Sequence, residues 1–99
     1  MAYRIRYAPE FNAEFEDTLV YIRNKLQNPI AADNLVSAFD ETVSSIVVFP
    51  RSTLPFTVGG VDYYHVRVKN YLAFYVVRED AVEFRRFLYA RSDVLAKLS

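Results

Sequence analysis

The sequence predicts an α+β two-layer sandwich, with an antiparallel helical hairpin packed on one face of a four-stranded, mainly antiparallel sheet in the order β-α-α-β-β-β-α. Three observations predict it. Apolar residues recur at helical spacing in two long stretches between residues 9 and 49. The pattern changes to a period of two from residue 62 onward. Prolines or polar turns stand at the joins. A hairpin and a sheet that are each apolar on one side can bury those sides against one another.

Tyr3-Arg4-Ile5-Arg6-Tyr7 alternates apolar and basic residues and reads as a short strand with one solvated face. Pro9 opens the first helix, in which Phe11, Phe15, Leu19, Ile22 and Leu26 form one stripe while Glu10, Glu14, Glu16 and Asp17 occupy the other sides. Acids near the start and Arg23 and Lys25 near the end suit the helix dipole. Asn28-Pro29 stops this helix. The second runs from about Ile30 to Val48, with Ala31, Leu35, Ala38, Phe39, Thr42, Val43, Ile46 and Phe49 on one face, and Pro50 ends it. Two long helices joined by a tight turn make the hairpin.

Residues 51–60 read as a loop. In the strand Asp62–Lys69, Tyr64, Val66 and Val68 face one way and Tyr63, His65, Arg67 and Lys69 the other. Asn70 turns the chain into Tyr71–Val77, apolar on both faces as a central strand requires. Arg78-Glu79-Asp80 is the next turn, and Val82–Arg91 is the last strand. Ser92 then reads as the N-cap of a short terminal helix over Asp93–Leu98. Opposite the hairpin, the second sheet face is expected to meet solvent or a partner. The core expected from these stripes sets Phe11, Phe15, Ile22, Leu35, Phe39, Val43 and Ile46 against Val66, Leu72, Phe74 and Phe84 or their strand neighbours.

Composition narrows the function. The chain has 99 residues, 53% hydrophobic and 24% charged, with no cysteine. That describes one domain over residues 1–99 and excludes a disordered chain, a disulfide scaffold and a cysteine-ligated metal site. No apolar run approaches the length of a bilayer span, and no signal peptide is apparent, so a cytoplasmic location is expected. Formal net charge is zero, which argues against coating nucleic acid by bulk electrostatics. The charge is divided, however. Residues 1–50 hold four bases against seven acids and residues 51–99 hold eight against five, so an anion-binding surface belongs in the second half.

Several segments, in order, resemble the RelE/ParE superfamily of small bacterial toxins over nearly the whole chain. They are Tyr3-Arg4-Ile5, Ala8-Pro9, Tyr21-Ile22, Asn28-Pro29-Ile30-Ala31-Ala32 and Phe49-Pro50. The sheet adds Val68-Lys69-Asn70-Tyr71-Leu72-Ala73-Phe74-Tyr75 and Phe87-Leu88-Tyr89-Ala90-Arg91-Ser92-Asp93. The resemblance implies the toxin of a type II toxin–antitoxin module, held inactive by a cognate antitoxin. It also implies one of two targets, because RelE-type members cleave mRNA in the ribosomal A site and ParE-type members poison DNA gyrase. The long hairpin and the Lys69–Leu72 turn look closer to the ParE side. Of the RelE-type catalytic pattern, Arg91 matches the arginine at the end of the last strand. Leu72 stands where a basic residue is expected, Tyr63 and His65 where the preceding strand should be basic, and Lys97 where the tail should carry a tyrosine, with Tyr89 the nearest substitute.

Cleavage by the RNA's own 2′-hydroxyl needs a base, an acid and cations around the phosphate, and asks for neither metal nor cofactor. In that reading His65, Arg67 and Arg91 are the catalytic candidates. His65, Arg67 and Lys69 would line one face, with Arg85, Phe87, Tyr89 and Arg91 expected outward beside them as a basic, aromatic surface suited to single-stranded RNA. In the protein-binding reading, target or antitoxin contacts fall to Lys69, Arg85, Tyr89, Arg91 and Asp93. Plainer roles stand beside these: Arg67 and Lys69 can merely keep a sheet face soluble, and Tyr71, Phe74 and Tyr75 can be core. Arg85 and Arg86 cannot both face one way, so one should contact the antitoxin or pair with the acidic helices. Three functions follow: a poison of a protein such as gyrase, a ribosome-dependent endoribonuclease, or an inactive member that only binds its antitoxin.

Overall fold

The structure, a computed structural model, describes residues 3–98. The elements are β1 (Arg4–Tyr7), α1 (Pro9–Val20), a π-helical segment (Tyr21–Lys25), α2 (Pro29–Ile46), β2 (Phe56–Val58), β3 (Val61–Val68), β4 (Tyr71–Arg78), β5 (Ala81–Tyr89) and α3 (Val94–Leu98). The sheet is mixed and has five strands in the order β1-β5-β4-β3-β2, not four. The additional strand, Phe56–Val58, lies inside the stretch expected to be loop and pairs antiparallel with Val61–Tyr63 through a turn at Gly59 and Gly60. Both glycines have positive φ, +58° and +77°, which a two-residue hairpin of this hand requires. β1 runs parallel to β5, as a strand can when the whole helical hairpin lies between it and the rest of the sheet.

Both helices lie on the same sheet face, as the paired stripes predict. Phe11, Ile22, Ala32, Leu35, Phe39 and Ile46 are buried against Tyr64, Val68, Ala73, Tyr75, Val82, Phe84 and Phe87, with Phe15, Val43 and Val66 packed at the margin. Leu72 and Phe74 point the other way, so their strand neighbours Ala73 and Tyr75 supply the main core. On the far face Phe74 and Leu88 are covered by Leu98 of α3, with Leu72, Tyr63, Val58 and Val94 around them. The second sheet face is therefore partly closed by the chain's own terminal helix.

Two departures from regular period explain the other differences. In the π-helical segment the Leu26 N–H donates to the Tyr21 carbonyl at 3.1 Å, five residues back. The wide turn shifts the helical phase and leaves Leu26 55% exposed although it continues the stripe. Gln27 then takes a left-handed φ of 51°, and Asn28 caps α2 by accepting from the Ala31 N–H. In β5, Phe74 pairs with Arg86 but Tyr75 pairs with Phe84, so Arg85 is an unpaired bulge residue. The extra residue turns both Phe84 and Phe87 toward the helices. Phe87, expected outward, is 2% exposed.

Candidate functional site

The far face of β3 carries His65 and Arg67. His65 lies between two phenyl rings, stacked on Phe56 with centroids 5.0 Å apart and tilted against Phe74 at 5.8 Å. Its Nδ1 is buried and has no hydrogen-bond partner among the described residues. β2, which the sequence pattern does not reveal, supplies Phe56 and so converts an outward-facing histidine into a half-buried one. Arg67 is exposed, and its Nε donates to the Lys69 carbonyl at 2.9 Å.

Lys69, Tyr89 and Arg91 gather at one end of the sheet. Lys69 sits in the β3–β4 turn with a left-handed φ of 57°. Tyr71 and Tyr89 are register partners, and the Ala90 N–H donates to the Asn70 carbonyl at 2.9 Å, which ties this turn to the chain leaving β5. Arg91 follows, exposed and without an ion pair among the described residues. His65 is not part of this group. It is level with Phe74 and Arg86, while Tyr89 is level with Tyr71 and Val68, which separates them by roughly 14 Å on strand spacing. They also face opposite sides of the sheet.

Arg85 is away from both groups, in the bulge, held by Glu83 at 2.5 Å. The pairing anticipated for one of the two arginines falls to Arg86, whose Nη2 meets Glu14 Oε2 of α1 at 2.6 Å. The Arg86 guanidinium also donates to the Lys97 carbonyl of α3. The Glu14 carboxylate beside it holds Arg86 firmly protonated, its pKa raised chiefly by that hydrogen bond. Asp93, expected to make binding contacts, caps α3 instead of Ser92, with its Oδ1 accepting from the Ala96 N–H at 3.4 Å. Ser92 bonds back to the Tyr89 carbonyl at 2.6 Å.

Beside Tyr89 lies a groove of about 640 Å³ between the helical hairpin and the β3–β4 turn, lined by Asp17, Tyr21, Leu26, Asn70 and Tyr71 among others. In the sequence, Asp17, Tyr21 and Tyr71 look like helix surface or core. Only the fold sets them together, and their one sequence signal is a phenol and an acid four residues apart on a helix. Burial, and then the neighbouring Tyr89 and Tyr21, raise the Tyr71 hydroxyl pKa, so it is a neutral phenol.

The model of the ParE toxin of type II toxin–antitoxin systems, parDE, matches residues 5–94. No curated protein matches the chain in sequence. Among solved structures, a chain of the chromosomal ParDE system of P. aeruginosa superposes with a TM-score of 0.72 at 14% identity, covering 91% of this chain and 98% of its own. A chain of the archaeal RelE–RelB complex of Pyrococcus horikoshii OT3 gives 0.62 at 17% identity, with coverage of 93% and 100%. The YoeB dimer of Staphylococcus aureus gives 0.54 at 15%, with coverage of 90% and 98%. At such identities the structural likeness is one of fold; the family match spans nearly the whole chain, and the chain belongs to the ParE toxins of type II toxin–antitoxin systems.

Proposed function

We propose that this toxin arrests growth by binding and poisoning a protein target, DNA gyrase, and that a cognate antitoxin neutralises it by covering the exposed end of the sheet. The observation that carries this reading is the environment of His65. A general base must reach its proton and be oriented through its other ring nitrogen. Here Nδ1 is buried without a partner among the described residues, and phenyl rings contact the imidazole. Of the other expected members of a nuclease site, Arg67 stays with His65 on the far face of β3, but Arg91 lies beyond the end of β5 and Arg85 is paired to Glu83. What stands exposed instead is a tyrosine and an arginine, Tyr89 and Arg91, the residue types that dominate protein interfaces.

Inducible expression with two readouts tests it. Plasmid supercoiling should collapse, or cleaved DNA complexes should accumulate, while mapped mRNA ends stay unchanged. Cleavage of mRNA on programmed ribosomes by the purified protein, with supercoiling intact, would replace this reading with the ribonuclease. Normal growth with both readouts silent would leave the inactive, antitoxin-binding form.

A further inference from the structure

The groove beside Tyr89 has a chemistry that the toxin fold alone does not explain. Tyr71 and Tyr89 meet nearly edge to face, their centroids 5.8 Å apart and their planes at 63°, which makes an aromatic corner. Tyr21, 50% exposed, and Leu26, 55% exposed, form the opposite rim. Asp17 is the one charged residue in the lining, and its carboxylate has no ion pair or hydrogen bond among the described residues. Leu26 closes the helix at its C-terminal end, where the dipole is negative. The tyrosine ring faces are electron-rich.

Aromatic walls, one unpaired carboxylate and a helix C-terminus all favour a cation, and all disfavour a phosphate. The planar shape of guanidinium suits stacking on a ring while pairing with a carboxylate. The volume, about 640 Å³, also admits the backbone on either side of such a residue. We propose that this groove receives the side chain of an arginine from a protein partner, stacked on Tyr71 and Tyr89 and paired with Asp17. The assignment does not depend on which target the toxin acts upon.

Its test is a binding titration followed by NMR on the full chain, reading the tyrosine ring resonances and the Asn70 side-chain amide. The probe is N-acetylarginine amide, compared with N-acetylnorleucine amide and adenosine monophosphate. Saturable shifts confined to Tyr21, Tyr71, Tyr89 and Asn70 are expected for the arginine probe. Affinity should fall roughly fivefold in Asp17→Asn and again in Tyr89→Leu. Asp17 is exposed, so Asp17→Asn should leave the fold unchanged, and its spectrum verifies this. Tighter binding of the norleucine probe would make the groove merely apolar, tighter binding of the nucleotide would make it a base-stacking platform, and no saturable shift would mean no site. Each of these overturns the proposal. Growth arrest is not the readout, so failure here and failure of the gyrase reading remain separate results.

Discussion

Glu14 and Arg86 join α1 to β5 where β1 stops. The carboxylate accepts from Arg86 Nη2 at 2.6 Å and from Arg86 Nε at 3.0 Å, and its Oε1 also accepts from the Phe87 N–H at 3.0 Å. β1 pairs with β5 only as far as Phe84, so Phe87 would otherwise present a bare backbone donor on the sheet margin. One helix carboxylate therefore completes the strand edge and fixes an arginine whose other contact is α3. Both side chains are largely buried, at 27% and 25% exposure, so breaking the pair strands a partly desolvated charge. Glu14→Ala should cost about 2–4 kcal/mol in urea denaturation, and Glu14→Gln, which keeps an acceptor for the Phe87 N–H, about half of that. A loss under about 0.5 kcal/mol for Glu14→Ala would mean that the contact is incidental.

Tyr75 governs the response to alkali. It is 2% exposed, and its hydroxyl donates to the Pro50 carbonyl at 2.7 Å. Burial, with Tyr64 beside it, pushes its pKa up to about 12 from the ordinary value of 10.0. Between these values the unfolded chain sheds a proton that the folded chain retains. The contribution is whole below pH 10 and is lost as pH rises toward 12, at up to about 1.4 kcal/mol per pH unit. Tyr75→Phe should be less stable by about 1–2 kcal/mol at neutral pH, from the lost hydrogen bond. It should also decline less steeply above about pH 10. The remaining decline belongs to Tyr7 and Tyr71, whose pKa values burial also raises. Parallel stability curves for the two proteins from about pH 9 to 12 would contradict the assignment.

Glu79 occupies the β4–β5 turn with φ at +48°, a left-handed conformation that a side chain disfavours. Glycine adopts it without the Cβ conflict but gives up more freedom on folding. The balance should make Glu79→Gly more stable by about 0.5–1 kcal/mol, read as a raised thermal midpoint. A lowered midpoint would show that the Glu79 side chain contributes more than its backbone strain costs.

Most of the architecture is legible in the sequence because each helix carries its own stripe and β3 and β4 alternate cleanly. Phe56-Thr57-Val58 is not, since three residues before a Gly-Gly turn offer too short a run to reveal a period. Nor is the bulge at Arg85, because one inserted residue reverses every later side chain without altering composition, and so strict alternation puts Phe87 on the wrong face. Leu26 departs for the helical equivalent, a single wide turn that resets the phase. The site is obscured by these same local irregularities. Alternation places His65 correctly on the far face of β3, but the strand that supplies Phe56 looks like loop. Tyr89 and Arg91 are recognisable as an exposed pair, whereas Asp17 and Tyr21 come to flank the Tyr89 groove only when the hairpin folds down onto the β3–β4 turn.

Chemistry and contact make opposite demands on His65. If it acted as a general base, His65→Leu would lower the cleavage rate by about 10²–10⁴-fold in a protein that still folds. Its setting between Phe56 and Phe74 argues instead that its ring is packing, and an apolar replacement of similar size removes the unpartnered Nδ1 from that layer. His65→Leu should therefore keep growth arrest within about threefold of the parent and lose no stability. Tyr89 is 45% exposed and Arg91 stands free of ion pairs among the described residues, so neither is needed to hold the fold. Tyr89→Ala and Arg91→Ala should each weaken binding to the proposed target, gyrase, by roughly tenfold or more, as expected of interface anchors, with little change in thermal midpoint. Inducible toxicity measured together with supercoiling gives the decision. Abolished toxicity in a folded His65→Leu protein, alongside unaltered toxicity in the Tyr89 and Arg91 variants, would move the function to the far face of β3 and restore the ribonuclease.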